Sequence, residues 1–273
     1  MTDLAQSLPL VPPHRKVHTP YGIFVPALIG AAFLLLPLIG LLVQAPWRDL
    51  PGLIGGQAVR TALRLSLETA TSATVVAIIL GVPIAWVLAR VEFRGRGVVR
   101  ALVILPLVLP PVAGGIALLL AYGRHGVVGQ WLWSTFGISL PFTTVGVVVA
   151  ETFVAMPFLV VAVEGSLRGL DPRFDQVAAT MGASRWFTFR YVTLPMLGPG
   201  IAAGAVLCWA RALGEFGATI TFAGSYPGTT QTMPLQVYLA LQDNPDAAIA
   251  LSLVLLVVSV AILAGLRDRW LRP

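Results

Sequence analysis

The polar segment Leu170-Asp-Pro-Arg-Phe-Asp-Gln-Val-Ala-Ala-Thr-Met-Gly-Ala-Ser-Arg185 separates two strongly apolar stretches of the chain. In a membrane protein, a segment of this kind is tolerated only outside the hydrocarbon layer. Four arginines lie in or beside this segment: Arg168, Arg173, Arg185 and Arg190. Arginine is enriched in the cytoplasmic connections of membrane proteins. The sequence therefore predicts a cytoplasmic loop between two membrane spans.

The composition indicates an integral membrane protein. Of the 273 residues, 57% are hydrophobic and 11% are charged, outside the range expected of a soluble domain. A helix needs about 20 apolar residues to cross about 30 Å of hydrocarbon. Six such runs lie near 22–44, 58–89, 101–122, 142–164, 193–221 and 246–266. We predict an all-α membrane protein with six transmembrane helices, in which residues 1–20 form an N-terminal tail and 21–273 a transmembrane domain.

The distribution of the basic residues indicates how the chain is oriented in the membrane. They cluster before the first predicted span, in the connections after the second and fourth spans, and after the sixth, whereas the opposite connections hold only Arg48 and Arg124. This positive-inside pattern predicts that both termini, including the tail 1–20, are cytoplasmic. The net charge of +6 therefore does not point to a nucleic-acid partner.

Several functional classes are excluded by what the chain lacks. Cys208 is the only cysteine, and the three histidines lie outside the predicted spans, so we expect no disulfide, metal site or haem. Lys16 is the only lysine and has no P-loop pattern before it, so this chain cannot hydrolyse ATP through a P-loop. We expect no catalytic residues and no cofactor in this chain.

Within the polar loop, the residues permit a short helix. Asp171-Pro172 suits an N-cap followed by proline in the first turn, and Gly182 suits a C-terminal stop. The helix is too short to span the membrane. It could present small side chains to a partner, or the loop could be an ordinary linker with an interfacial helix. Leu194-Pro195 is predicted to restart a transmembrane helix.

The spacing in this loop resembles a known motif. Gln176-Val177-Ala178, three residues, Gly182, nine residues, Val192, one residue and Leu194-Pro195 resembles the Glu-Ala-Ala motif of permease subunits of binding-protein-dependent ABC importers. Gln176 and Val177 depart from that motif. The resemblance implies the type I ABC importer permease fold, with residues 165–192 as the coupling loop and a coupling helix that docks in a groove of a cytoplasmic ATPase. The implied coupling residues are Gln176, Val177, Ala178, Ala179, Gly182, Ala183, Leu194 and Pro195.

Charged residues also occur inside the predicted spans. Arg211 and Glu215 are four residues apart, so in a helix they share a face and can pair. A charge at mid-membrane costs about 2.5 to 3.5 kcal/mol, so such residues usually face a bundle interior or a water-filled cavity. The pair is either a salt bridge that pins helices together or part of a translocation path. The pore or gate candidates are Arg211, Glu215, Gly217, Thr219 and Glu151.

Two further spans carry unusual residues. In the second, Arg60, Arg64 and Glu68 follow a four-residue spacing near the outer end, where snorkelling explains Arg60 better than pore lining. In the third, Leu105–Gly115 contains three prolines and two glycines, which must break or kink the helix.

A narrower resemblance concerns the fifth span. Arg211–Gly224 and Pro227–Tyr238 resemble the permease of molybdate and tungstate importers, and sulfate and thiosulfate permeases are similar over Arg211–Glu215. The resemblance implies a homodimer in the lipid of a bacterial or archaeal plasma (inner) membrane. It also implies two ATPase copies that use ATP and Mg²⁺, a periplasmic or extracellular oxyanion-binding protein, and import of molybdate by alternating access. Sulfate import, a secondary transporter, and a channel or scaffold are the alternatives.

Overall fold

A computed structural model describes residues 21–171 and 173–270 of the chain. The predicted cytoplasmic tail, 1–20, lies outside the described residues. The chain divides into two compact units, one ending at Gln44 and the other beginning at Ala45. In the first unit, a single apolar helix, α1, runs over Tyr21–Val43.

All regular secondary structure in the described part of the second unit is helical, and no β-strand forms there. Phe189–Thr193 form a π-helical turn. The helices are α2 (Leu50–Ile54), α3 (Gln57–Arg90), α4 (Arg96–Val108), α5 (Pro111–Tyr122), α6 (Gly129–Phe136), α7 (Thr144–Gly169), α8 (Arg173–Thr180), α9 (Arg185–Thr188), α10 (Leu194–Met196), α11 (Gly198–Leu213), α12 (Gly217–Phe222), α13 (Met233–Asp243) and α14 (Pro245–Trp270).

The helices account for up to six membrane spans. In the described part of the chain, four helices are long and apolar enough to cross a membrane: Gly22–Val43, Gln57–Arg90, Thr144–Gly169 and Pro245–Ile262. Two bent pairs raise the number to six if each pair is one span, namely α4 with α5, bent by 119°, and Arg185–Met196 with α11, bent by 67°.

The predicted interruption of the third span is confirmed. Helix α4 ends at Val108, and Leu109 and Pro110 have extended backbones with ψ near 131°. A proline pushes the preceding residue out of the helical region, and Pro110-Pro111 applies this constraint twice in succession. The apolar run 101–122 is therefore two helices and not one.

The run predicted as one span at 193–221 also differs from a single helix. The chain is already helical at Arg185, so the prediction that a helix restarts at Leu194 is wrong. Helix α11 then ends at Leu213, and α12 begins at Gly217. Gly214 lies in this break, where its low helix propensity favours the interruption.

The core of the second unit forms where α3, α7 and α11 pack together. Small residues make the contacts close: a Cβ added to Gly81 would lie 2.8 Å from Leu159, and one added to Gly204 would lie 3.2 Å from the Leu159 backbone. Ala73 and Ala77 on α3 are fully buried in the same cluster. Membrane helices that lack a hydrophobic driving force between them associate through contacts of this kind.

A second close contact brings α12 against α5. A Cβ on Gly217 would lie 2.7 Å from the Pro111 Cβ and 3.3 Å from the Val112 nitrogen. On the facing helix, a Cβ on Gly115 would lie 3.0 Å from the Ala218 carbonyl oxygen. Gly217 and Gly115 thus let the backbones of α12 and α5 approach each other closely.

We predict that Gly217→Ala destabilises the fold and that Gly214→Ala, three residues away, does not. Overpacking a close contact costs about 1 to 3 kcal/mol. At Gly214 the nearest atom to an added Cβ is the Ala210 carbonyl oxygen at 3.7 Å, an ordinary contact. Thermal denaturation of the detergent-solubilised protein, followed by size-exclusion chromatography, measures the difference. Equal melting midpoints for the two variants would contradict the prediction.

Candidate functional site

The polar loop contains the predicted short helix, α8, and its ends follow from local chemistry. At the start, the Arg173 backbone nitrogen donates to Asp171 Oδ1 at 2.9 Å. At the end, Gly182 adopts a left-handed conformation with φ of 82°. The Ala183 nitrogen donates to the Ala178 oxygen and the Gly182 nitrogen donates to the Ala179 oxygen, both at 3.0 Å. This is a Schellman C-cap, and glycine is the residue best suited to it.

Helix α8 leaves an apolar face uncovered within the chain. The exposed fraction is 57% for Val177 and 83% for Met181, and Phe174 is also exposed. Gln176 and Ala179 are exposed as well. Large apolar side chains grouped on an exposed short helix mark an interaction surface.

Asp175 fixes α8 to the rest of the second unit. Its Oδ1 atom accepts a hydrogen bond from Thr193 Oγ1 at 3.0 Å. Its Oδ2 atom lies 3.7 Å from the Arg90 Nη2 atom at the end of α3. Trp86 of α3 packs edge-on against Phe189 of the π-helical turn beside this contact, with ring centroids 5.7 Å apart. The coupling loop is thus bonded both to α3 and to the segment that leads into α11.

Glu164 makes a second polar link near the base of this loop. Its carboxylate is buried, and Oε1 accepts from Arg168 Nη2 at 2.8 Å, while Oε2 lies 3.3 Å from Arg100 Nε. The two arginines belong to α7 and α4. Glu164 and Asp175 were not predicted from the sequence; their only signal is that they are carboxylates beside the arginine-rich connections that are predicted to be cytoplasmic.

Arg211 and Glu215 pair, but not on a shared helix face. The Arg211 Nη2 atom lies 2.6 Å from Glu215 Oε2. Because α11 ends at Leu213, Glu215 lies in the break before α12, where its Oε1 accepts from the Ala218 nitrogen at 2.8 Å. The expectation of a helical four-residue pair is corrected: a carboxylate at the start of α12 satisfies one of its free N–H groups and is paired with arginine.

Glu151, for which the sequence suggested no partner, binds α3. Its Oε1 atom accepts from Thr69 Oγ1 at 2.9 Å. The structure buries Glu151, Glu215, Gly217 and Thr219 inside the chain. Arg211 is the partly exposed pore candidate, with 27% of its side chain accessible. The assignment of these residues to a pore or gate stays a prediction.

A further charged pair lies exposed on α3. Arg64 Nε is 2.6 Å from Glu68 Oε1, and the exposed fractions of the two side chains are 80% and 55%. Three residues after Glu68, less than one helical turn, Thr71 Oγ1 accepts from the Trp209 indole nitrogen of α11 at 3.2 Å. The sequence showed the spacing of these charges but did not show that they would be left uncovered.

Residues 77–273 match the family described as the binding-protein-dependent transport system inner membrane component. The chain belongs to this family. The matched segment begins inside α3, after Arg64 and Glu68, and includes the polar loop and the charged residues Glu151, Arg211 and Glu215.

Known relatives of this permease extend over nearly its whole length. The molybdenum transport system permease protein ModB of Mycobacterium tuberculosis is 46% identical over 256 residues, covering 94% of this chain and 97% of the relative. The sulfate transport system permease protein CysT of Escherichia coli is 36% identical over 234 residues, covering 84% of each chain. A bacterial ABC transporter that imports alginate has a similar fold, with a TM-score of 0.74 at 20% identity, over 92% of this chain and 94% of that one.

These similarities confirm several predictions from the sequence. The chain is an all-α integral membrane protein with the fold of type I ABC importer permeases. It is a permease subunit and not an enzyme, and ATP hydrolysis is carried out by a separate ATPase. The importer partnership in general follows from the family, whereas the coupling roles of individual residues stay predictions.

We predict that Asp175→Ala loosens α8. The substitution removes a partly exposed charged acceptor for Thr193 and Arg90, which lowers the free energy of local opening of α8 by about 1 kcal/mol. This corresponds to about fivefold faster amide exchange in α8. Hydrogen–deuterium exchange of the purified permease measures this change. Gln176→Ala, at the neighbouring exposed position, is the control, and equal exchange in both variants would show that Asp175 does not anchor the helix.

Proposed function

We propose that this chain is the transmembrane permease subunit of an ATP-driven importer that carries molybdate into the cytoplasm. The observation that carries the proposal is the 46% identity to a molybdenum transport permease across nearly the full length of both chains. Sulfate import is the second candidate, because the sulfate permease is 36% identical over most of its length. Tungstate has the same charge and shape as molybdate and is expected to share the path.

The proposed assembly contains two copies of this chain, two copies of a cytoplasmic ATPase and an external oxyanion-binding protein. The name of the family supports dependence on a binding protein. The uncovered apolar face of α8, with Val177 and Met181 exposed, supports docking to the ATPase. ATP and Mg²⁺ would be bound by the ATPase and not by this chain.

The geometry suggests how motion of the ATPase reaches the membrane. In the proposed orientation both termini and α8 are cytoplasmic. When ATP closes the ATPase subunits, α8 moves with them. Asp175 transmits this displacement to α3 through Arg90 and towards α11 through Thr193. These two helices carry the charged residues Arg64 and Arg211, so a shift of α8 would change the surface that faces the anion.

Uptake by the reconstituted complex tests the cargo. We expect proteoliposomes containing permease, ATPase and binding protein to accumulate labelled molybdate in an ATP-dependent manner. Unlabelled tungstate should compete strongly and sulfate weakly. Efficient uptake of sulfate that excess molybdate does not inhibit would assign the permease to the second candidate.

We predict that Arg211 is needed for transport and not only for folding. Arg211→Ala alone leaves a buried unpaired carboxylate, which costs about 3 to 5 kcal/mol, so it cannot separate the two roles. The double variant Arg211→Met with Glu215→Gln removes both charges and keeps an acceptor for the Ala218 nitrogen. It should fold and insert, yet lower molybdate uptake at least about tenfold, or about 1.4 kcal/mol in the barrier. Wild-type uptake by this variant at equal expression would show that the pair is only structural.

A further inference from the structure

Helix α3 carries a row of exposed polar side chains along one face of its first half. We call this row the α3 polar stripe, and it consists of Arg60, Arg64, Glu68, Thr71 and Ser72. Their spacing of three or four residues places them on one side of the helix. The opposite side packs in the core through Ala73 and Ala77. Beyond Ser72 the exposed face becomes apolar, with Val75 and Ile79.

Contact with lipid does not explain the stripe. A long arginine side chain at a helix end, such as that of Arg60, can reach the membrane surface, but Glu68 has only a short stem. Glu68 lies about 12 Å further along the helix axis than Arg60, at a rise of 1.5 Å per residue. Its exposed carboxylate, paired with an exposed guanidinium, needs water or a polar partner.

The stripe is linked to α11 by a hydrogen bond. Trp209 of α11 donates its indole N–H to Thr71 of the stripe at 3.2 Å. Arg211 lies two residues after Trp209, about 3 Å further along the α11 axis, on a different side of that helix. The stripe therefore extends along α3 from Arg60 to the level at which α11 carries its arginine.

From this placement we infer that the α3 polar stripe lines the water-filled access path of the transported anion, with Arg64 as the group that contacts a tetrahedral dianion. The inference rests on the proposed function, from which it takes the class of cargo. Arginine presents several N–H donors in a planar fork that suits the oxygens of an oxyanion. Glu68 contacts the same guanidinium, so it would compete with the anion for Arg64. This competition would keep anion binding weak enough for the anion to leave again, as conduction requires.

Thiol labelling tests whether the stripe faces water, independently of the cargo. We would label Ser72→Cys and, as a matched control on the apolar part of the same helix, Ile79→Cys. The native Cys208 is buried, and the unsubstituted permease gives its background. With a membrane-impermeant, sulfonate-bearing methanethiosulfonate on the assembled complex in proteoliposomes, we expect Ser72→Cys to react at least about tenfold faster. Equal slow rates would place the stripe in lipid. Disulfide formation between two copies, without labelling, would place it in a protein interface. Both results overturn the inference.

Charge variants test the role of Arg64. We expect Arg64→Gln to reduce labelled molybdate uptake at least about tenfold at saturating binding protein, while Arg64→Lys keeps most of it. Arg48→Gln, at an exposed arginine outside the stripe, is the control and should have little effect. The exposed pair adds little to stability, so melting should be unchanged. Equal uptake by Arg64→Gln and Arg48→Gln would overturn the role. If the unsubstituted complex does not transport molybdate, the proposed function fails, while the labelling result still decides whether the stripe faces water.

Discussion

A polar group buried in a membrane protein cannot turn to bulk water, so each buried carboxylate needs a partner from the chain itself. Three carboxylates of this permease meet that constraint. Glu151 accepts from Thr69, Glu164 contacts Arg100 and Arg168, and Glu215 contacts Arg211 and the Ala218 nitrogen. Together these bonds join α7 to α3, α7 to α4, and α11 to α12. The small residues that let α3, α7 and α11 approach closely bring these polar groups within bonding distance.

The polar loop is held to the longer helices by a few specific contacts. Helix α8 is too short to be stable alone, since isolated helices under about 12 residues are marginal in water. Its ends are fixed by the Asp171 cap and the Gly182 turn, and its position is fixed by Asp175. The contacts of Asp175 do not involve the apolar face of α8. A helix held from one side and uncovered on the other can move with a partner and pull on the elements that hold it.

Much of this architecture could be predicted because it depends on local sequence. The long apolar runs and the glycine stop at Gly182 depend on neighbouring residues alone, and the proline break after Val108 follows from two adjacent residues. The bond between Asp175 and Thr193 could not be predicted, because it joins residues 18 positions apart whose meeting depends on the π-helical turn. The break after Leu213 was missed for a related reason. Arg211 and Glu215 have helical spacing, and the single Gly214 between them is a weak local signal for a break, whereas the close contact of Gly217 with Pro111 is tertiary.

What the chain leaves unsatisfied is as informative as what it satisfies. Glu164 and Glu215 are buried and paired with arginines, Glu151 accepts a hydrogen bond from Thr69, and the small-residue contacts are closed. By contrast, the apolar face of α8, the α3 polar stripe and part of Arg211 stay exposed within the single chain. Exposure of an apolar face to the cytoplasm, or of charged groups to lipid, is unfavourable, and these are the environments predicted for α8 and for the membrane helices. An apolar face in the cytoplasm requires a protein partner, and a guanidinium with a carboxylate beside a membrane core requires water or an anion. The division between satisfied and unsatisfied groups therefore separates the residues that hold the fold together from those that we propose contact the ATPase and the cargo.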